Sequence, residues 1–406
     1  MLLGLKSPRH EMRTISGNAR QRRGGQHGLI LINVLMILSL LVGIAFGARV
    51  MMQTDYKIVA NLRGGTEAFY LAESGIAWSM EALARAVGHP PVLTAFTQGL
   101  APGSFSVSFS SSTVPSHLSA KTVVRSIGSV GVSTQTLQAQ LTKSYDLADS
   151  AVGLRGNAGR VNFASDSFAV SGLDHDPVSG TPIMESKARP AISVSGEALE
   201  ALVVQALADS QRSESLISAN GTPVIAPSDY LPGSMIDNLA KDLCEMASAL
   251  TGAIPADGVL TVRGENWGTP LAPQVRCFSG LPGPGDAVNL AGPITGAGIL
   301  VIKDATLTLS GDFRWDGMIL VTGDNVGFNV TGAADKAILG ALIVHETGVP
   351  GGTTALFDLQ GTIRILFSRA ALSKTEALFP PSVLENVRAM LPFTVRQDYW
   401  RIVASN

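Results

Sequence analysis

The chain has 406 residues, more than one compact domain usually holds, so two or three units are expected. Apolar residues make up 46% and the formal charge is only −2, with no long Lys or Arg run beyond residue 28, which argues against nucleic-acid binding. No phosphate-binding GxxxxGK[ST], HExxH, CxxC or GxSxG motif occurs, so the sequence carries no catalytic or cofactor signature of those kinds.

Residues 1–28 form a basic leader, with Lys6, Arg9, Arg13, Arg20, Arg22 and Arg23 against Glu11 alone. Leu29–Ala48 follows as 20 uncharged residues in which only Asn33 and Ser39 are plainly polar. As a helix it spans about 30 Å, the thickness of a bilayer core. The charge asymmetry predicts a cytoplasmic leader, with the body beyond Arg49 on the other side of the membrane. A secretory signal cut near Ala45-Phe46-Gly47 and a plain single-span anchor are the two simpler devices of this kind.

The helix is expected to continue. No proline occurs between Arg9 and His89, and Ile58, Leu62, Phe69, Ala72, Ile76, Met80, Leu83 and Val87 recur mostly at steps of 3 or 4. Gly64-Gly65 marks a weak point, since each Gly disfavours a helix by roughly 1 kcal/mol relative to Ala. The second half of this stripe is expected to pack on its own domain. The first half needs lipid or other apolar helices.

These residues carry a resemblance. Gly28-Leu29, Asp55-Tyr56, Ala60-Asn61-Leu62-Arg63 and the run Ala68-Phe69-Tyr70-Leu71-Ala72-Glu73-Ser74-Gly75 resemble the N-terminal part of PilX-type minor pilins of type IV pili. The resemblance covers Gly28–Ala84, about one seventh of the chain. It implies cleavage by prepilin peptidase between Gly28 and Leu29, methylation of the new amine, and assembly with other pilins through the N-terminal helix. It also shows a departure. Most major pilins carry glutamate at the fifth mature position, and here Asn33 stands there. Asparagine can hydrogen-bond a neighbour's N-terminal amine but cannot neutralise it. The departure suits a minor subunit, and equally the large pseudopilin of a type II secretion system.

Beyond His89-Pro90-Pro91, which ends the helix, three antiparallel strands are expected within 89–149. Phe105, Val107 and Phe109 alternate along one, and Leu137, Ala139 and Leu141 along another; between them Val123–Ile127 leads into a Gly128–Gly131 turn. Residues 150–406 read as a β-helix or solenoid-like domain with a small α insertion at about 195–251. Ala198–Asp209 and Ser234–Leu250 are the helical segments, and Ser234 with Asp237 reads as a capping box. Apolar segments starting at Gly298, Gly317, Gly340 and Gly361 recur 19, 23 and 21 residues apart, as stacked coils would; a meander or sandwich gives a similar pattern. Asp286–Leu372 resembles the distal part of PilX-type proteins in its glycine-led strands and its Trp315-Asp316-Gly317 turn. A short helix at Val383–Leu391 and a strand at Phe393–Val403 are expected to cap the last coil. The fold class is α+β.

Cys244 and Cys277 are the only cysteines; in an oxidising compartment they form one disulfide, the alternative being two buried thiols. Asp174-His175-Asp176 has metal-ligand chemistry but reads as a turn, and Asp312, Asp316, Asp324 and Asp335 sit at glycine-flanked corners. Trp267, Trp315 and Trp400 are expected in the core. No metal or cofactor is expected. The chain therefore reads as a non-enzymatic, membrane-inserted pilin-like subunit that contacts lipid, prepilin peptidase and other pilins. It would initiate assembly or sit near a pilus tip, with a surface receptor or polysaccharide as a further partner. An exported β-helix enzyme or adhesin, using the segment only for export, is the alternative of another class.

Overall fold

The computed structural model describes residues 26–86, 88, 90–116, 118–156, 159–165, 167–183, 188–219, 221–228, 230–247, 251–255, 258–281, 285–348, 355–388 and 391–403. The basic leader lies outside the described residues as far as residue 25. Two compact units are present, Met1–Glu67 and Ala68–Asn406. The architecture is α+β: a long apolar helix, then a large β-rich region with short helices.

Helix α1 (Gln26–Arg85) supplies the described part of the first unit. It runs through Gly64-Gly65 without a break. Two glycines are tolerated because helix propagation is cooperative once long segments exist on either side. In the second unit, Ala68, Leu71, Ala72, Ile76, Ser79 and Leu83 of α1 are buried and share one helical face.

That face of α1 lies on a five-stranded antiparallel sheet of β1 (Phe96–Leu100), β2 (Gly103–Ser116), β3 (Ser119–Val130) and β4 (Ser133–Tyr145), closed by a fifth strand from the end of the chain. Phe105, Val107, Val124, Leu137, Ala139 and Leu141 meet the helix there. The approach is close because small residues face each other. A Cβ on Gly128 of β3 would stand 1.9 Å from the Ala68 carbonyl oxygen and 2.6 Å from the Ala72 nitrogen; one on Gly75 would stand 2.1 Å from Ser126 Oγ. Gly128 to Val130, expected as a turn, therefore extends β3, and the chain turns at Gly131-Val132 instead.

Beyond β4 every ladder but one is parallel. The N-terminal strands are β5 (Val152–Gly156), β6 (Arg160–Phe163), β7 (Phe168–Ser171) and β8 (Ile192–Val194). Helix α2 (Glu197–Ser210), β9 (Leu216–Ile217), β10 (Ile225–Pro227) and α3 (Gly233–Met246) come next. Then follow β11 (Thr251–Ala253), β12 (Val259–Val262), β13 (Asn266–Trp267), β14 (Gln274–Ser279), β15 (Ala287–Leu290) and β16 (Ile294–Lys303). The series continues with β17 (Thr306–Leu309), β18 (Phe313–Gly323), β19 (Phe328–Val330), β20 (Lys336–Glu346), β21 (Ala355–Leu359) and β22 (Ile363–Phe367). The chain finishes with α4 (Arg369–Thr375), α5 (Pro381–Arg388) and β23 (Phe393–Val403). One parallel sheet orders β10-β8-β5-β20-β18-β16-β14-β11, with shorter strands branching from it. The other orders β12-β15-β17-β19-β21-β6. Neither sheet closes on itself.

The first sheet's apolar runs Ile299–Ile302, Met318–Val321 and Ala341–Val344 are buried throughout, as strands covered on both faces must be. Helices α3 and α4 cover them, and Leu384 and Val387 of α5 approach Met318. Gly298, Gly317 and Gly340 stand in register at the bend of β16, β18 and β20, with φ of 125°, 141° and 143°. Gly361 is not a fourth member of this column. It precedes β22, which pairs with the first half of β20, while the second half of β20 pairs with β5.

Two further expectations change. Phe393–Val403 does not cap the parallel region; β23 pairs antiparallel with β4 as an edge of the five-stranded sheet. Trp400 is consequently 50% exposed, its ring 6.0 Å from Phe69, whereas Trp267 and Trp315 are buried. Helices α2 and α3 pack on different strands, α2 on β6, β8 and β10 and α3 on β14, β16 and β18. Helix α3 joins these by the disulfide between Cys244 and Cys277 of β14, with Cα atoms 5.4 Å apart.

Two predictions follow from packing. Gly317→Ala puts a Cβ 2.1 Å from the Gly298 carbonyl oxygen at a φ that side chains avoid, so it should lower unfolding stability by roughly 1–3 kcal/mol, read from urea melts. Reduction of Cys244–Cys277, or Cys244→Ser, removes a cross-link over a 33-residue separation and should cost about 3–4 kcal/mol, seen as a lower urea midpoint in reductant.

Candidate functional site

The most distinctive surface is the helix in the first unit. From Ile30 to Arg63 every residue is exposed, and the apolar ones lie all around the axis. Leu38, Leu41, Ile44 and Phe46 are 58–69% exposed, and the most apolar stretch of the helix has a mean hydropathy of 2.6. Among the described residues this is the one helix long and apolar enough to cross a membrane. Ser39 Oγ donates to the Met36 carbonyl at 2.9 Å and Thr54 Oγ1 to the Val50 carbonyl at 2.9 Å, so these hydroxyls are satisfied within the helix. Gly28 and Leu29 lie at the start of α1, and Asn33 one turn later, its side chain exposed.

The rear of the helix is fixed by a residue the sequence did not single out. Buried Lys143 donates from Nζ to the Ala84 and Ala86 carbonyl oxygens at 3.1 and 2.9 Å. It caps the C-terminal end, where carbonyls lack partners and a positive charge is favoured. Its ammonium also lies 4.5 Å from the Phe393 ring centroid. Burial holds its pKa below the ordinary lysine value.

The residues with possible chemistry do not converge. Asp174 accepts from the Arg369 backbone N–H at 2.8 Å, and His175 Nδ1 lies 2.7 Å from the Leu173 carbonyl oxygen. Asp176 accepts from the backbone N–H groups of Val178 and Ser179 and from Ser179 Oγ, which holds its carboxyl below the ordinary range. Asp312 accepts from the Asp335 backbone N–H at 3.1 Å, and Asp335 pairs with Arg364 at 3.3 Å. Burial raises Asp316, opposed by Arg314 at 3.4 Å. These acids hold turns and strand ends. Among the described residues no group of three or more His, Cys, Asp or Glu side chains is placed to hold a metal ion.

Two clusters went unread in the sequence. Buried Asp146, directly after β4, takes Arg189 and Arg369 together, with Arg369 Nε at 2.7 Å. In the other, Asp237 of α3 accepts from Thr322 Oγ1 at 2.6 Å and lies 3.2 Å from His345 Nδ1, so the expected capping box does not form. Hydroxyl, imidazole and carboxylate also make up a catalytic triad, but there the imidazole bridges the other two through its two nitrogens. Here His345 Nδ1 meets both partners, and its Nε2 is turned toward Gly233, where an added Cβ would stand 2.2 Å away. The cluster clamps α3 onto β18 and β20. No spacing rule links positions 237, 322 and 345, so no local signal announces either cluster.

No protein-family model and no curated protein matches the chain. Among solved structures, the crystal structure of the competence-associated pilin ComZ from Thermus thermophilus aligns over 84% of this chain and 98% of its own at 12% identity. Its TM-score of 0.22 is too low to carry an argument about fold or role.

Burial lowers the His345 pKa below its ordinary 6.5, with Asp237 opposing the shift. The unfolded chain then binds a proton more readily than the folded one as pH falls through 6.5 toward the depressed value. Stability present above that window is lost across it. Urea midpoints measured between about pH 7.5 and 5 should fall with acid, and His345→Gln should flatten that part of the slope.

Proposed function

We propose that this chain is a pilin-like, non-enzymatic subunit. Helix α1 anchors it in the inner membrane as a single span, and the second unit lies in the periplasm. One observation carries the reading. A single helix is apolar and uncovered over Ile30–Ala48, then presents a small-residue face to an antiparallel sheet over Ala68–Leu83. The first part needs lipid or the apolar helices of other subunits, because neither its own unit nor water can satisfy it. The motif run Ala68–Gly75, which carries the resemblance to PilX-type minor pilins, is the part that permits the close helix–sheet approach.

The processing expected of such a subunit is removal of the leader between Gly28 and Leu29 by prepilin peptidase, with methylation of Leu29. Assembly then replaces lipid contacts with contacts to other pilins. Asn33 offers a neighbouring amine a hydrogen bond and no charge, which suits a minor position, initiating assembly or sitting near the tip. The parallel ladders stepping by about twenty residues, with glycines in register at their bends, support reading the body as a β-helix displayed by the subunit, with an adhesive role. The scattered, turn-bound acids favour this over an exported β-helix enzyme.

The test is the mass of the mature N-terminus after expression with and without prepilin peptidase. A chain starting at methylated Leu29 only when the peptidase is present supports the proposal. A start near Ala48 points to an ordinary export signal and overturns it, and so does an uncut chain under both conditions.

A further inference from the structure

The five-stranded sheet has two open edges. Among the described residues no other element hydrogen-bonds the outward backbone groups of β1 on one side or of β23 on the other. An edge of this kind is a template for a further strand, and neither strand contains proline or lysine to blunt it. The charged residues of β23 are engaged on the face away from α1. Arg396 pairs with Asp398, which also accepts from Gln140 and Thr142, and Arg401 donates to Gln138.

The two edges match each other. Four antiparallel pairings separate β1 from β23, so the strands run in the same direction. They also lie at the same level along α1. Phe393 sits beside Lys143, which binds the Ala84 and Ala86 carbonyls, and Trp400 sits beside Phe69. At about 3.3 Å per strand residue against 1.5 Å per helix residue, Gln397 falls near Ile76. Gln98 is paired with Phe105, whose ring meets Gly75, one residue away. On the side facing α1, Leu100 of β1 and Trp400 and Ile402 of β23 are 40%, 50% and 57% exposed, because no strand lies beyond them.

We propose that the chain associates with a second copy of itself, the β1 edge of one copy adding in parallel to the β23 edge of the next. The joined sheet keeps α1 of both copies on one face and pointing one way, and sets Leu100 against Trp400 and Ile402. Pairing like edges does worse. Two antiparallel β23 strands turn one α1 end for end, which copies anchored in one membrane from the same side cannot adopt. Two parallel β23 strands put the helices on opposite faces, so that Trp400 meets the side bearing Arg396 and Arg401. The contact is head-to-tail and can therefore repeat. It is limited by the five residues of β1, so it needs the local concentration that anchoring supplies. The common orientation rests on the membrane-anchored reading above; the matched edges do not.

The test co-expresses two differently tagged full-length chains in one membrane, one with Gln98→Cys and the other with Gln397→Cys, and adds a short bis-maleimide. Cys244 and Cys277 are bonded to each other, so the introduced thiols are the ones that react. A mixed-tag product is expected from the 98–397 combination and little from 98–98 or 397–397. Leu100→Lys with Ile402→Lys should lower the yield by about fivefold or more with the thermal melt unchanged, since charge on an exposed edge opposes strand addition. Either lysine alone decides the point should the pair lower the melt. The proposal is overturned by absence of the mixed-tag product, by equal product from like positions, by capture of a different protein at position 397 in place of the second copy, or by indifference to the lysines. Crosslinking by a chain that is not cut at Leu29 upholds this inference and fails the pilin reading. A chain cut at Leu29 that gives no mixed-tag product does the reverse.

Discussion

The central constraint is one helix, α1, whose surroundings change along its length. Over Ile30–Ala48 α1 offers no side that water would favour, and over Ala68–Leu83 it offers a narrow seam of Ala, Gly and Ser with larger apolar residues at its margins. The seam lets helix and sheet backbones come nearly into contact at Gly128, which a side chain on either surface would prevent. Close approach brings the dispersion contacts of Phe105, Val107 and Leu141 to full packing. Lys143 then fixes where the helix ends, by accepting burial in exchange for two carbonyl bonds and two aromatic faces.

The β-rich region solves a different problem. Each short strand alone buries little, so the apolar rows must be continued by the next strand in register. Long strands bend where glycines align, and the bend lets the first half of β16, β18 and β20 join one row while the second half joins another. The side covered by α3, α4 and α5 can be apolar throughout; the uncovered side of the second sheet has to alternate. That difference in covering accounts for runs such as Met318–Val321 beside patterns such as Phe328-Asn329-Val330. Disulfide and His345–Asp237–Thr322 clamp act on the same element, holding α3 against the apolar row at two points.

How much of this was legible depends on the range of each signal. The apolar span, the helical stripe and the alternation of Phe105–Val107 and Leu137–Leu141 are written in neighbours two to four residues apart, and those elements stand where the periodicity puts them. The glycine column was visible as a repeat for Gly298, Gly317 and Gly340. It misled at Gly361, because β20 does not continue into a following coil. Its second half is joined by β5, nearly two hundred residues earlier in the sequence. Strand β23 misled for the same reason: its pairing with β4 crosses about 250 residues, and no local pattern distinguishes an edge strand of one sheet from a cap on another. Trp400 looked like core because tryptophan usually is, and it does face the helix side beside Phe69. At an edge strand that side is only half covered.

The same distance argument bears on the acidic residues. Asp is selected at strand corners because its carboxylate bonds nearby backbone N–H groups, as Asp176 and Asp312 do. Where parallel strands follow one another at intervals of about twenty residues such residues recur with the interval, and recurrence alone imitates a cluster. A catalytic pair needs two carboxylates facing one substrate atom in environments that separate their protonation. Here Asp312 and Asp335 precede β18 and β20, Asp316 lies within β18 and Asp324 follows it, and Asp316 and Asp335 pair with Arg314 and Arg364.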